Sequence, residues 1–330
     1  MVKLGVIGRN FVVDWLLGAA EKVPEICPVA VCSRDPEAAK EFAEKYRMPY
    51  IFGSVEEMGR CPEVDAVYIA SPNYCHYTQS KILLEHGKHV LCEKPATVNA
   101  AEVRELIEIA KANGVVYLEA MRLVHDDALD IIRDALPEIG ALRRVSFEFS
   151  QYSSRYDRVR AGEKNINAFN RALSNGSIMD MGCYPIHAIV KLFGRPERVC
   201  AMGMKLDTGF DGNGSVMMQY PGFYAEAVWS KVTHQVAPTF FLGEDGAIFL
   251  DNVNRTKRIW LETRKGEIKE LPYEEKLPIN MTYQLRHFCD MIRGEMDPAP
   301  WNEASIITME VMDEARKQMD IVFPLENCCK

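Results

Sequence analysis

Apolar runs that alternate with helical patterns constrain the first 122 residues more than any other feature of the chain. Six such runs occur there, and each is followed by a turn and a helical pattern. Short apolar runs indicate buried strands, and strands joined by helices build an open parallel sheet. The pattern therefore predicts a doubly wound α/β domain over residues 1–122, with ligands bound beyond the carboxyl ends of the strands.

The rest of the chain follows a different pattern. Strand-like segments run from 199 to 271, separated by turns such as Asp211-Gly212 and Asp245-Gly246, and a last helix covers about 302–319. This succession predicts an α+β domain over residues 123–330, built on a large, mostly antiparallel open sheet. Few helices are available to cover that sheet. We therefore expect a homodimer or homotetramer that forms through it.

Composition narrows the function and the location. The net charge of −8 argues against nonspecific binding to nucleic acid or to acidic membranes, and no apolar run is long enough to span a membrane. The first strand begins at once, which leaves no room for a secretory signal. The ten cysteines are scattered without metal or redox spacing, apart from the adjacent pair at 328–329. These features predict free thiols in a reducing cytoplasm.

The first strand runs into a glycine-containing turn and a helix. Gly5 and Gly8 are followed by Arg9, Asn10 and Phe11, with Asn10 at a place where a glycine is usual. A strand, a tight turn and a helix N-terminus suit the pyrophosphate of a dinucleotide. Asn tolerates left-handed conformations better than most residues, so Asn10 still permits such a turn. The alternative is an ordinary β–α turn of an α/β protein.

The second strand ends in Ser33-Arg34-Asp35, where a dinucleotide-binding domain contacts the adenosine ribose. A hydroxyl and a guanidinium can bind a 2′-phosphate, which an acid would repel. Ser33 and Arg34 therefore favour NADP(H) over NAD(H). NAD(H) stays possible if Asp35 is the ribose ligand, and Arg34 can alternatively be a solvated charge.

Two more strands end in polar motifs at the same edge. The fourth strand leads into Ser71, Pro72, Asn73 and His76, and the fifth into Glu93-Lys94-Pro95. Cys75 and His76 are adjacent and would not easily chelate one metal ion, so no metal site is expected.

Pro95 fixes its own φ and holds the backbone of Lys94 extended. A lysine partly removed from solvent at this edge could titrate low enough to move protons near neutral pH. The alternative is that Lys94 is a solvated lysine in a β–α loop.

A second group of polar residues opens an apolar helix in the other half. Asp180, Tyr184 and His187 have i, i+4 and i+7 spacing, which predicts that all three face one side. An acid, a phenol and an imidazole there could bind a polyhydroxylated substrate. The alternative is that Asp180 caps the helix, Tyr184 packs, and His187 is a core histidine.

These motifs together resemble the glucose–fructose oxidoreductase and inositol dehydrogenase family, known as Gfo/Idh/MocA. The resemblance covers essentially the whole chain. It rests on the ordered set Gly5-x-x-Gly8, Ser71-Pro72-Asn73-x-x-His76, Glu93-Lys94-Pro95 and Asp180-x-Gly182-x-Tyr184. Tyr184 is typical of the dihydrodiol dehydrogenase and NADP-dependent xylose dehydrogenase branch.

The resemblance implies a Rossmann domain followed by a substrate-binding and oligomerisation domain. It implies that Lys94 and Tyr184 are the acid–base and substrate-orienting pair, that Asp180 supports them, and that His187 lies at the substrate end. It also implies that the nicotinamide lies near Pro72, Asn73, Glu93 and Lys94. The chain departs from the family at Asn10 and at 122–125, so the substrate is not carried over.

We therefore expect an NAD(P)-dependent oxidoreductase that transfers hydride between nicotinamide and a secondary alcohol or carbonyl of a sugar, polyol or diol. The alternative is a regulatory or sensing protein that binds a dinucleotide without chemistry. Such a protein has no need of Lys94, Asp180 and Tyr184 together, which favours the enzyme.

Overall fold

A computed structural model describes residues 1–164, 166–253, 256–274 and 281–323, which group into two compact units. The first unit contains residues 1–125 and 281–306, and the second contains 126–274 and 307–323. The sequence placed the boundary at 122 and assigned everything after it to one domain. The structure differs, because the chain returns to the first unit after residue 280.

The first unit is built on a parallel sheet of six strands within the described residues, in the order β3-β2-β1-β4-β5-β6. The strands are β1 (Val2–Ile7), β2 (Ile26–Cys32), β3 (Tyr50–Phe52), β4 (Ala66–Ile69), β5 (His89–Glu93) and β6 (Tyr117–Ala120). This order is that of a doubly wound dinucleotide-binding fold, which confirms the predicted α/β class. The carboxyl ends of β1 and β4 lie side by side, because the two strands are parallel and the order of the strands reverses between them.

Helices connect these strands, and one further helix returns to them. They are α1 (Phe11–Ala20), α2 (Pro36–Tyr46), α3 (Val55–Arg60), α4 (Asn73–Glu85), α5 (Ala100–Ala112) and, from the far part of the chain, α9 (Thr282–Ile292). The returning helix α9 was not predicted. Its Leu285 and Phe288 are fully buried in the same core as Leu16 of α1, which is why it belongs to this unit.

The second unit is built on a sheet of eight strands within the described residues, in the order β14-β13-β12-β11-β7-β10-β9-β8. The strands are β7 (Leu142–Ser150), β8 (Arg198–Lys205), β9 (Asp211–Tyr220), β10 (Phe223–Ser230), β11 (Thr239–Gly243), β12 (Gly246–Leu250), β13 (Ile259–Thr263) and β14 (Ile268–Glu270). The pair β7–β10 is parallel and the other neighbours are antiparallel. The predicted large, mostly antiparallel sheet is confirmed.

The remaining helices are α6 (Ala128–Ala135), α7 (Tyr156–Arg160), α8 (Cys183–Phe193) and α10 (Ala299–Gln318). Helix α8 lies against one face of the second sheet, where Phe147, Trp229 and Phe241 are fully buried. Because side chains alternate along a strand, the other face carries the intervening residues. Met202 and Met217 lie on that other face and are 79% and 45% exposed.

One predicted turn is wrong. Asp211 begins β9, and its carboxylate is buried, where it accepts hydrogen bonds from the Ser177 hydroxyl and the Ile178 N–H at 2.7 Å each. Gly176 permits this contact, since a Cβ there would lie 2.3 Å from an Asp211 oxygen. Burial raises the pKa of Asp211, while the two donors lower it. Asp211 therefore fixes the chain just ahead of Asp180.

Candidate active site

The turn after β1 has the geometry expected of a pyrophosphate-binding turn, but Asn10 has a different role from the one predicted. Gly8 has φ +103°, and a Cβ there would lie 2.8 Å from the carbonyl oxygen of Ala70. Asn10 has φ −84°, so it is not left-handed. Its Oδ1 caps α1 by accepting from the N–H groups of Val12 and Val13, and its Nδ2 donates to Ala70 O at 2.9 Å. Asn10 thus ties the turns after β1 and β4 together.

In the turn after β2, Ser33 and Asp35 both contact Arg9, which comes from the turn after β1. Arg9 Nε donates to Ser33 Oγ at 3.1 Å, and its guanidinium lies 3.6 Å from the Asp35 carboxylate. Asp35 is the N-cap of α2, where Oδ1 accepts from the Ala38 N–H at 3.2 Å. One carboxylate oxygen of Asp35 caps the helix and the other faces Arg9. The side chain of Arg34, in contrast, is exposed to solvent. The donor set Arg9, Ser33 and Arg34 therefore fits the 2′-phosphate of NADP(H).

The Ser71-Pro72-Asn73 segment joins β4 to α4, as predicted. Pro72 is exposed, and Ser71 and Asn73 are half-buried. His76 is only 1% exposed, and both of its ring nitrogens face backbone carbonyl oxygens. His76 is therefore a supporting residue beneath this edge, not part of its solvent-facing lining.

Lys94 is half-buried at the carboxyl end of β5, and Glu93 lies next to it. Glu93 Oε1 accepts from the hydroxyl of Tyr68 at 2.5 Å. Burial raises the pKa of Glu93, while Tyr68 and the charge of Lys94 lower it. The Lys94–Pro95 peptide bond is cis. The structure thus places Glu93 and Lys94 at the edge where the sequence predicted them.

Glu119 anchors the turn that follows Lys94, a role that the sequence did not indicate. It is 3% exposed, accepts from the Ala96 N–H at 2.8 Å, and accepts from the Ser305 hydroxyl at 2.6 Å. Tyr117 OH donates to Ala96 O at 3.2 Å. Burial raises the pKa of Glu119, and the two donors lower it. A single acid near the end of a strand gives no sequence signal for such a bridge, because Ser305 lies 186 residues away.

The predicted helix around Asp180 begins with a π-helical turn, Ile178–Gly182, before α8. The wider turn changes the rotation between Asp180 and Tyr184 relative to an α-helix, and such turns are frequent at functional sites. Asp180 and Tyr184 are half-buried, and the Tyr184 ring packs edge-on against Phe149 at 5.1 Å. Gly182 is required there, because a Cβ would lie 2.8 Å from the indole of Trp229.

Lys231, which the sequence did not single out, contacts Asp180. Its Nζ donates to Asp180 Oδ2 at 2.6 Å and to Ala168 O at 3.2 Å, and its side chain is 7% exposed. The ammonium also lies 5.2 Å from the ring centre of Phe169 and 5.9 Å from that of Phe210. The buried ammonium group contacts the half-buried Asp180 carboxylate directly and fixes its orientation.

His187 does not share the exposure of the other two helix residues. It is 1% exposed, and burial lowers its pKa to about 3. The imidazole is therefore neutral at ordinary pH. Of the two interpretations drawn from the sequence, the structure favours a core histidine.

The described residues contain no group of three or more His, Cys, Asp or Glu side chains that could hold a metal ion. Within the same residues, no helix is long and apolar enough to cross a membrane.

Sequence comparisons identify the class of protein. Residues 2–121 match the family described as "Oxidoreductase family, NAD-binding Rossmann fold" (GFO_IDH_MocA), and residues 135–249 match the "GFO/IDH/MocA C-terminal domain". The chain therefore belongs to the Gfo/Idh/MocA family and is an NAD(P)-dependent oxidoreductase, as the motifs predicted.

Individual relatives match over nearly the full length. The chain is 40% identical to scyllo-inositol 2-dehydrogenase (NADP(+)) IolU of Bacillus subtilis over 99% of each chain. It is 31% identical to trans-1,2-dihydrobenzene-1,2-diol dehydrogenase of Sus scrofa over 91% of each chain.

Among solved structures, the fold is similar to that of KijD10, a 3-ketoreductase from Actinomadura kijaniata in complex with NADP. The TM-score is 0.82 and the identity 22%, over 96% of this chain and 98% of the other. At this identity the likeness supports the fold alone.

Proposed function

We propose that the protein is an NADP(H)-dependent dehydrogenase or reductase of a polyol, diol or sugar. The observation that carries this proposal is the 40% identity, over 99% of each chain, to an NADP(+)-dependent inositol dehydrogenase. The relative from Sus scrofa acts on a diol, which is also a small alcohol. The nicotinamide supplies or accepts the hydride when it is bound.

Lys94 and Tyr184 exchange the proton of the reacting oxygen in this proposal. Both side chains are half-buried, and both end in a group that can donate or accept a proton. Asp180 supports them as a hydrogen-bond acceptor held in place by Lys231. His187 is neutral and buried, so its role is in packing.

The cofactor is NADP(H) in preference to NAD(H). Arg9 and Ser33 are already hydrogen-bonded to each other, and Arg34 is exposed beside them. Asp35 caps α2 and pairs with Arg9, so its carboxylate is already engaged and is not needed as the ligand of a ribose hydroxyl. This supports a 2′-phosphate at this position. Gly8, with φ +103° and the carbonyl oxygen of Ala70 where a Cβ would lie, makes the tight turn that a pyrophosphate-binding segment requires.

The protein works as a homodimer or homotetramer that forms through the open face of the second sheet. That face carries exposed Met202, Met204, Met217 and Tyr224. Such apolar surface indicates an interaction site. All eight described cysteines are free thiols, which supports a reducing cytoplasm as its location.

Turnover tests the function. The purified protein is assayed with NADP⁺ and NAD⁺ against scyllo-inositol, trans-1,2-dihydrobenzene-1,2-diol, xylose and glucose, and NADPH binding is measured in parallel by fluorescence. We expect NADP⁺-linked oxidation of at least one of these alcohols. Tight NADPH binding without turnover of any of them would favour a non-catalytic sensor.

The Lys94→Ala variant tests the proton-transfer role. We expect kcat to fall by about 10²–10⁴-fold, while the Kd for NADPH changes by less than about threefold. Lys111→Ala, which removes an exposed lysine from the last turn of α5, is the matched control and should keep full activity. Near-normal turnover by Lys94→Ala would contradict the assignment.

A further inference from the structure

The ring of His76 lies between two backbone carbonyl groups. Nδ1 is 2.9 Å from the carbonyl oxygen of Pro95, and Nε2 is 3.0 Å from that of Ser71. The side chain is 1% exposed, so water does not compete for either contact. His76 stands in the first turn of α4 and reaches the turns after both β4 and β5.

These two carbonyl groups belong to the two motifs that the proposed reaction uses. Ser71 begins the segment that leads to Asn73, and Pro95 follows Lys94 directly. The far side of the Lys94 turn is fixed at Ala96 by Glu119 and Tyr117. On the near side, Nδ1 of His76 lies within hydrogen-bonding distance of the carbonyl oxygen of Pro95, the residue next to Lys94.

A carbonyl oxygen only accepts hydrogen bonds, and a neutral imidazole has one N–H. The neutral ring therefore donates to Pro95 O in one tautomer and to Ser71 O in the other, and only the imidazolium donates to both. Burial lowers the pKa of His76, the two carbonyl contacts raise it, and the charge of Lys94 lowers it. The neutral ring therefore bonds one turn at a time, Pro95 O through Nδ1–H or Ser71 O through Nε2–H.

We propose that His76 is a positioning residue that joins the turns after β4 and β5, with Nδ1 orienting Lys94 through Pro95 and Nε2 orienting Asn73 through Ser71. The part that concerns turnover rests on the proposed function. Misplacement of a reacting group by about 1 Å can cost about 10²-fold in rate, so loss of the Pro95 contact should affect chemistry. Loss of the Ser71 contact should instead displace Asn73, near which the nicotinamide is expected, and so weaken cofactor binding.

Two amide variants separate the two contacts. The amide nitrogen of Gln reaches the place of Nε2 and keeps the bond to Ser71 O, whereas that of Asn reaches the place of Nδ1 and keeps the bond to Pro95 O. For His76→Gln we expect kcat to fall by about 10–10²-fold, with the Kd for NADPH within about threefold. For His76→Asn we expect the Kd for NADPH to rise by about fivefold, with kcat within about threefold.

His86→Gln is the matched control on the same helix. The Nδ1 atom of His86 lies 3.0 Å from Ile82 O within α4, and it touches neither turn. We expect this variant to keep both kcat and the Kd for NADPH. Equal losses of kcat and affinity in the two His76 variants, or a loss of melting temperature alone, would overturn the positioning role.

A measurement without turnover keeps this inference separate from the proposed function. Lysines are reductively methylated with ¹³C-formaldehyde, and the Lys94 resonance is assigned from a Lys94→Arg variant. We expect that resonance to shift in His76→Gln and to stay in place in His76→Asn and His86→Gln. An unchanged Lys94 resonance in His76→Gln would overturn the inference, even if no substrate is found.

The unaltered protein offers a second test if the variants do not fold. Ring ¹⁵N spectra show which nitrogen of His76 carries a proton. We expect a population protonated at Nδ1. A ring protonated only at Nε2 throughout the folded pH range would overturn the link to Lys94.

Discussion

Lys231 and Asp180 form an ion pair with an Nζ–Oδ2 distance of 2.6 Å, although they are 51 residues apart in the chain. The lysine is almost completely buried and the aspartate is half-buried. Lys231 also donates to Ala168 O, in the polar segment that precedes the π-helical turn. One ammonium group therefore fixes both the acid of the Asp180-x-Gly182-x-Tyr184 motif and the segment beside it.

The Lys231–Asp180 pair should contribute measurably to stability. A double-mutant cycle with Lys231→Met and Asp180→Asn is measured by urea unfolding. We expect a coupling free energy of about 1–3 kcal/mol, between the values for exposed and for fully buried pairs. The exposed pair Arg133–Asp130 is the control and should give less than about 1 kcal/mol. A coupling near zero for Lys231–Asp180 would contradict a structural ion pair.

Arg34 should determine cofactor preference. Arg34→Ala removes a guanidinium that can form charge-assisted hydrogen bonds with a 2′-phosphate. Such bonds contribute about 1.5–3 kcal/mol, so we expect the Kd for NADPH to rise by about 10–10²-fold and that for NADH by less than about twofold. Lys45→Ala, which removes an exposed lysine of α2, should leave both affinities unchanged. Equal weakening of the two cofactors would refute the 2′-phosphate role.

His187 should make the folded protein sensitive to acid. Its folded-state pKa of about 3 lies below the ordinary value of 6.5, so below pH 6.5 the unfolded chain binds a proton that the folded chain does not. Stability from the neutral ring is full above pH 6.5 and is lost as the pH falls towards 3. The slope contributed is up to about 1.4 kcal/mol per pH unit.

His187→Gln removes this titration. We expect its unfolding free energy to fall less steeply with decreasing pH than that of the unaltered protein. Parallel pH profiles for His187→Gln and the unaltered protein, measured by urea unfolding, would disprove the prediction.

Met217 should report on self-association. It lies on the open face of the second sheet, opposite Cys200 in the register of β8 and β9. Met217→Glu places a charge on that face, so we expect the proposed assembly through it to dissociate in sedimentation experiments at micromolar concentration. Val236→Glu, a change at a 94% exposed loop residue, should leave the assembly intact. A Met217→Glu protein that sediments like the unaltered one would exclude this face.

The strand–helix alternation of the first 122 residues could be predicted because it is local and periodic. Each apolar run, and each helix that follows it, consists of consecutive residues, as α2 (Pro36–Tyr46) does. Helix α9 was missed. It belongs to the first unit because Leu285 is buried in the same core as Leu16, which lies some 270 residues away in the chain. No local sequence pattern indicates such a distant contact.

The motif residues could be found from type and spacing, but their partners could not. Asn10 was correctly singled out as a departure, yet its role as a helix cap that also binds Ala70 O requires the sheet order. Asp211 was predicted as a turn residue, because Asp-Gly favours turns, and instead begins a strand with a buried carboxylate. The packing of Ser177 and Ile178 against it outweighed the local preference.

The sequence by itself determined the family, the two sheets and the motif residues such as Lys94 and Tyr184, because these follow from short-range periodicity and ordered motifs. Only the tertiary structure decided which charges are paired and which rings are buried. Lys231 reaches Asp180, Glu119 joins Ala96 to Ser305, and His187 becomes a neutral core residue. The physical reason is that burial and hydrogen bonding depend on groups far apart in the chain, which meet only when the sheets are assembled.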